Sequence, residues 1–357
     1  QKNYVVAIYF QSAGLVKTAL QIFLAYYYRN LYVWVAIEFI FGIIGCIVLN
    51  WKINKEYPWL KTNVQSGNLL LKKYPEILKN TKQIFIHKIK DFLLTRSDEI
   101  MIYAFVSLKM VAYYGNYTMI ITKLSLLFTS ALDGMSAGVG NLVAEGDKPK
   151  MIKVFWELMT IRHFIAGLIC VSLYFLMEPF IILWLGEKYV MSRLILILLL
   201  IYQYIAQSRG VVDMYNHAHG LYADTWAAWV ELVLNLGITI AVALQYGIVG
   251  ILLGKIVSII VIVVFWKPYY LFSKGFKMPI YLYWRGNIRY YLIFAISFVV
   301  GWLVSSYIPI QPQENYVTLI LYGIIVVGSY TIINLSLLYI YAYGAKDCVS
   351  RVKRMMK

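Results

Sequence analysis

The stretch G-I-V-G-I-L-L-G-K-I-V-S-I-I-V-I-V-V-F-W, residues 247–266, has Lys255 as its single charged residue. A bilayer core takes about 20 apolar helical residues to cross, because backbone amides find no water there and must bond within their own segment. This stretch meets that length. Working outward, nine further apolar stretches recur, giving expected spans near 4–26, 31–51, 84–106, 110–141, 153–177, 190–209, 223–244, 247–267, 288–308 and 316–341. The fold class this predicts is all-α, a polytopic membrane protein of about ten transmembrane helices.

The gaps between these stretches alternate in charge. The gap after the second holds Lys52, Lys55, Lys61, Lys72, Lys73, Lys79 and Lys82, with Lys88 and Lys90 just inside the third stretch, whereas the flanking gaps hold Arg29 and Lys109. On the same basic side fall Lys148, Lys150, Lys153, Lys267, Lys274, Lys277, Arg285, Arg289 and the tail residues Lys346, Arg351, Lys353, Arg354 and Lys357. With Lys2 and Arg209, 24 of the 33 basic residues lie there, and the other side adds only Lys188 and Arg193. The positive-inside rule makes the basic side cytoplasmic and places both termini in the cytoplasm.

A net charge of +16 would suit nucleic acid, but 14% charged residues and a mean hydropathy of +0.68 exclude a soluble basic domain. The charge is topological, and it also attracts anionic membrane lipids. Cys46 and Cys170 fall in expected spans and Cys348 in the tail, so no disulfide framework is expected. The chain opens on Gln1, enters a span at once, and reads as a fragment. Pro75 and the mixed run after it suggest an interfacial helix within the one inner segment of any size, 52–83.

Function is sought among polar residues inside the spans, each of which needs a partner or a wet cavity. These are Lys17, Glu38, Arg96, Asp98, Glu99, Lys123, Asp133, Arg162, Glu231 and Lys255, with Asp91 nearer the inner face. In the third stretch helical spacing aligns Lys88, Asp91, Thr95 and Asp98, with Arg96 and Glu99 on another face. The fourth repeats Asn116, Lys123 and Ser130 every seven residues, followed by Asp133. Two adjacent striped helices suggest a hydrated cleft. Glu231, Asn235 and Thr239 mark one face of the seventh stretch. Gly250, Gly254 and Ser258 form a small-residue stripe that admits a close neighbour in the eighth. Lys17 with Glu38, and Arg96 with Glu99, are the expected ion pairs.

Enzyme signatures are weak. Gly138-Val139-Gly140 lacks the third glycine of a dinucleotide loop, with Val143 in its place. His217 and His219 lie in a polar inner stretch with Asp213 and Asp224 but without further metal ligands, and read as a solvated loop. The sequons at Asn116 and Asn334 fall in expected spans. No catalytic residue, metal or cofactor is expected, and no nucleic acid partner.

The runs S-D-E-I-M-I (97–102), V-A-Y-Y-G-N-Y (111–117), G-V-G-N-L-V-A-E-G-D (138–147), P-F-I-I-L-W-L-G (179–186) and G-I-V-G-I-L-L-G-K-I-V-S (247–258) resemble bacterial polysaccharide flippases. These are the Wzx-type O-antigen or capsule transporters of the multidrug/oligosaccharidyl-lipid/polysaccharide exporter superfamily. The resemblance spans roughly residues 1–290 and implies part of a two-lobed, 14-helix transporter, with the first four helices absent. Residues 1–51 would end the N-terminal lobe and 52–83 would be a cytoplasmic linker. The six-helix C-terminal lobe would be 84–267, followed by a loop (268–287), an accessory helix pair (288–341) and a basic tail (342–357). The activity implied is movement of undecaprenyl-pyrophosphate-linked oligosaccharide across the bacterial plasma membrane, with other polysaccharide-assembly proteins as partners. Charge and span position nominate Arg96, Lys123, Arg162, Lys17 and Lys255 to attract the pyrophosphate, and Asp98, Asp133 and Glu231 to balance charge or couple to an ion. Two alternatives are a drug/cation antiporter of the same superfamily, which would carry an acidic cavity, and a membrane glycan polymerase, which would need a large outer loop.

Overall fold

The computed structural model describes residues 3–59 and 67–355, so Lys2, Lys61 and Lys357 lie outside the described residues. Helices account for nearly all of it, and no strand occurs among the described residues. The chain divides into two compact units, Gln1–Ile77 and Leu78–Lys357.

In the first unit α1 (Asn3–Tyr28) and α2 (Leu31–Glu56) pack together, joined by a two-residue link. Arg29 adopts a positive φ of 47°, which ends α1, and the Asn30 side chain accepts from the Tyr32 amide at 2.8 Å, capping α2. A short helix, α3 (Gly67–Lys73), follows.

Next comes α4 (Pro75–Phe105), 31 residues without a break. The interfacial helix expected at Pro75 is therefore the first turns of α4. Proline at the first helical position starts a helix readily, and no later residue in this run interrupts it.

The second unit continues with α5 (Leu108–Asp133), α6 (Ser136–Glu145), α7 (Lys148–Leu185), a 3-10 turn at Glu187–Tyr189, α8 (Arg193–Ser208) and α9 (Gly210–Ala218). Then follow α10 (Thr225–Tyr246), α11 (Ile248–Ile259), α12 (Lys267–Tyr270), α13 (Tyr281–Tyr307), α14 (Tyr316–Tyr341) and α15 (Ala345–Met355). Two π-helical segments, Ile260–Trp266 and Leu271–Phe276, flank α12, so residues from Ile248 to Phe276 run as one rod. The expected span 110–141 is broken instead, between α5 and α6. There the Met135 amide bonds back to the Leu132 carbonyl at 3.0 Å in a tight turn at Asp133-Gly134. The weak helix formers Asp133, Gly134, Ser136, Gly138 and Gly140 explain the break, which an apolar tally overlooks. His217 is likewise in the last turn of α9, not in a loop, and His219 caps that helix.

Seven helical rods among the described residues are long and apolar enough to cross a bilayer. They are Leu31–Glu56, Lys148–Leu185, Arg193–Ala218, Thr225–Tyr246, Ile248–Phe276, Tyr281–Tyr307 and Tyr316–Tyr341. These fall on seven of the ten expected stretches, while 4–26, 84–106 and 110–141, carried by α1, α4 and α5–α6, are not among them. In α4 the cause is charge, from Lys88, Lys90, Asp91, Arg96, Asp98 and Glu99. In α5 it is Asn116, Lys123 and a series of tyrosines and hydroxyls.

The spine of the second unit is α7. At 1.5 Å per residue its 38 residues reach about 57 Å, well beyond a hydrocarbon core. It contributes Met177 and Ile181 to a core shared with Tyr114, Tyr117, Leu199 and Ile251. It gives Phe155 to a second core, where Tyr215, Phe272 and Phe276 meet that ring edge-on. Phe175 joins Val326 and Tyr330 of α14 in a third.

Helices α10 and α11 pack backbone to backbone. A methyl at Gly250 would lie 2.7 Å from the Ala243 amide nitrogen, and one at Gly254 would lie 2.7 Å from the Asn235 carbonyl and 2.9 Å from the Thr239 amide nitrogen. Backbone cannot yield as a flexible side chain does, so the stripe Gly250, Gly254, Ser258 seats directly on the face Asn235, Thr239, Ala243. Gly254→Ala should therefore destabilise the protein by about 1–3 kcal/mol. Gly237→Ala, at an exposed α10 position with open space around it, should leave stability unchanged or slightly raised. Thermal unfolding of both variants in the same detergent separates the two outcomes.

Candidate functional site

The sequence around α4 sets its inward face. In a 3.6-residue helix His87, Lys90, Asp91 and Asp98 fall along one side, at spacings of three, four, seven and eight. Opposite, α10 offers Glu231. On α11, Lys255 follows Gly254, so with Gly254 seated on α10 the lysine is turned about 100° toward α4.

Asp98 and Lys255 meet there. The Lys255 ammonium donates to Asp98 Oδ2, which also accepts from the Tyr114 hydroxyl at 2.9 Å. The same ammonium lies 4.5 Å from the centre of the Tyr202 ring. These two charged side chains are only 7% and 13% exposed, so each depends on the other. They border a hollow of about 280 Å³, which Thr95, Glu99, Thr118 and Gln203 help to line.

A second hollow of about 340 Å³ lies further toward the N-terminal end of α4. At its edge Lys90 sits between Glu231 Oε2 at 2.9 Å and Asp91 Oδ1 at 2.8 Å. Its wall also carries Lys88, Arg209, Asp213, His217 and Lys267. Beside it Asp224, immediately before α10, accepts from Lys267 Nζ at 2.7 Å and Trp266 Nε1 at 3.0 Å, with His87 Nε2 at 3.4 Å. Burial pushes the Asp224 carboxyl up, but His87, the Lys267 ammonium and the Trp266 indole together pull it down to about 2.

Of the residues nominated from sequence, the structure brings Asp98 and Lys255 together and sends Glu231 to Lys90. Lys17 pairs with Glu38 at 2.5 Å within the first unit, where Gln21 Nε2 also donates to Glu38 at 3.0 Å. Arg162 is buried in α7 against the bend between α8 and α9. A methyl on Gly210 there would lie 2.9 Å from its guanidinium carbon, and Arg162 lines neither hollow. Arg96 and Lys123 are exposed on α4 and α5, next to the cavity-lining Thr95 and Thr122. The expected Arg96–Glu99 pair does not form among the described residues. Both side chains are exposed, so burial does not compel either to pair. The side chain of Asp133 lies outside the described residues.

Sequence reasoning missed Lys90, His87, Asp224 and Lys267, because each sits near the end of a stretch and reads as topological charge. The spacing of His87 and Lys90 relative to Asp98 was the available signal. It also missed His163, buried in α7. The Asn287 Oδ1 atom accepts from its Nε2 at 2.9 Å, so its Nδ1 is the acceptor for the Tyr204 hydroxyl at 3.1 Å. That set ties α7 to α8 and α13. No group of three metal-ligating side chains occurs among the described residues. Comparison of the chain with family models, with curated proteins and with solved structures finds no match.

Removing one partner of a buried pair strands the other charge, so Asp98→Asn and Lys255→Gln should each cost about 3–5 kcal/mol. The double variant should cost clearly less than their sum, in a thermodynamic cycle read from thermal unfolding. The Asp224 cluster predicts an acid transition. Its carboxyl is held below the ordinary value of 3.8, so its contribution is complete above about pH 4 and is lost as pH falls toward 2. Titrating fluorescence from pH 6 to 2 should show a Trp266 component changing in that window, and Asp224→Asn should abolish it.

Proposed function

We propose that this chain is the membrane-embedded body of a flippase that moves a polyprenyl-pyrophosphate-linked oligosaccharide across the bacterial plasma membrane. The observation that carries this reading is the pair of charge-lined hollows beside α4, one completed by α5, α8 and Lys255 of α11 and the other by α9, Glu231 of α10 and Lys267, set among rods apolar enough to span a bilayer. Charge is expensive in such surroundings and is retained where an ion or a charged group must pass. In this reading α1, α4 and α5 also cross the membrane, giving ten spans of a two-lobed transporter, and the polar faces of α4 and α5 line the path. The Lys-rich gaps and both termini face the cytoplasm.

The ion pairs suggest how a diphosphate would be handled. While Asp98 neutralises Lys255, that lysine offers no free charge to a ligand. An arriving pyrophosphate competes for Lys255, and the freed Asp98 then takes a proton or a small cation, coupling the two movements. Exposed Arg96 and Lys123 are available to meet the headgroup first. Glu231 and Asp133 balance charge. A second reading, a drug/cation antiporter, is favoured by one observation: the 280 Å³ hollow holds two carboxylates, Asp98 and Glu99, to one lysine.

The test replaces Lys255 by Gln, and separately Arg96 and Lys123 by Gln, in the full-length protein, with insertion checked by immunoblot. Surface glycan should fall about tenfold or more for Lys255→Gln and by less for the exposed pair, with lipid-linked oligosaccharide accumulating. Unchanged export by normally inserted variants removes these residues from the mechanism. Intact glycan together with new sensitivity to cationic dyes selects the antiporter.

A further inference from the structure

The 340 Å³ hollow carries Lys88, Arg209 and Asn216, side chains that the transport reading does not use. Its walls come from residues 84–91 of α4, from Arg209, α9 and the turn after it, from Glu231 of α10, and from Val263 and Lys267 within the Ile248–Phe276 rod. Residues 84–91 follow the Lys-rich gap 52–83, and Lys267 opens the basic stretch that holds Lys274 and Lys277, which sets the hollow toward the basic side of the membrane.

Part of its charge is already satisfied. Lys90 is held by Asp91 and Glu231, and Lys267 by Asp224. Part is not. Lys88 has no carboxylate partner among the described residues. Arg209 approaches Asp213 through Nε, at 3.3 Å. Its two terminal nitrogens make no hydrogen bond among the described residues, and that pair of nitrogens grips a phosphate through two parallel bonds. Asn216 is 2% exposed and lines the same hollow, and its Oδ1 has no hydrogen-bond partner. A buried acceptor without a donor costs about 1–3 kcal/mol unless something donates to it. A hydroxyl would.

We infer that this hollow is a binding site for a phosphate ester bearing free hydroxyls, held by Arg209 and Lys88 through its phosphate and by Asn216 through a hydroxyl. Two sources share that chemistry, the phosphoglycerol headgroup of an anionic membrane lipid and a free glycerol phosphate. The inference stands apart from the flippase reading, since it concerns other residues and requires no transport.

The experiment uses the full chain in a zwitterionic detergent, titrated with short-chain phosphatidylglycerol, phosphatidylcholine of the same chain length, and glycerol 3-phosphate. Binding is read by melting temperature and tryptophan fluorescence. Phosphatidylglycerol is expected to stabilise saturably and phosphatidylcholine not to. Glycerol 3-phosphate binding with similar affinity identifies a soluble ligand, and its failure identifies the lipid. Arg209→Gln combined with Lys88→Gln should weaken binding about tenfold or more, and Arg209→Lys, which keeps the charge without the fork, should fall between. Lys88→Gln alone alters an exposed side chain with no ion pair to lose, so it serves if the double variant does not fold, with about threefold weakening expected. The inference is overturned if neither phosphate ester binds, if the two lipids bind alike, or if these variants bind as the parent does.

Discussion

A charge withdrawn from water keeps its ionised form only when a counter-charge lies within reach, and α4 is built around that requirement. Lys90, Asp91 and Asp98 would be costly on a helix packed against apolar neighbours. Glu231 and Lys255 offset that cost from across the interface. Without them α4 would have to face water or leave the bundle. With them, a helix too polar to cross a membrane on its own composition becomes part of an apolar assembly.

The partners have to be held firmly for this to work, and that is the role of the glycine stripe. Backbone contact between α10 and α11 fixes Glu231 and Lys255 relative to each other, because neither helix can slide without forcing Gly254 into the Asn235 carbonyl or the Thr239 amide. Behind them α7 joins all three cores and gives the unit its length. The π-helical segments beyond α11 then set Trp266 and Lys267 toward Asp224, closing the basic end.

Much of this was legible in the residues. Apolar runs of membrane length marked the long rods, and the stripes Glu231, Asn235, Thr239 and Gly250, Gly254, Ser258 marked the two faces that meet. Pairing was partly legible too, for Lys17 with Glu38. What stayed hidden was long-range. Asp98 and Lys255 are 157 residues apart and Lys90 and Glu231 are 141 apart, and no local period links such distances. The break after Asp133 was hidden for a different reason, since hydropathy continues across it while helix propensity does not.

The two long-range pairs have opposite polarity along α4. At its middle α4 presents a cation to an anion, and eight residues later an anion to a cation. Sliding α4 by that spacing, about 12 Å, would bring Asp98 to Glu231 in one direction or Lys90 to Lys255 in the other. Either displacement sets like against like. The helix is thus keyed to a single depth, much as a toothed key admits one insertion, and any working movement of α4 must tilt or swing it away from its neighbours rather than draw it along them.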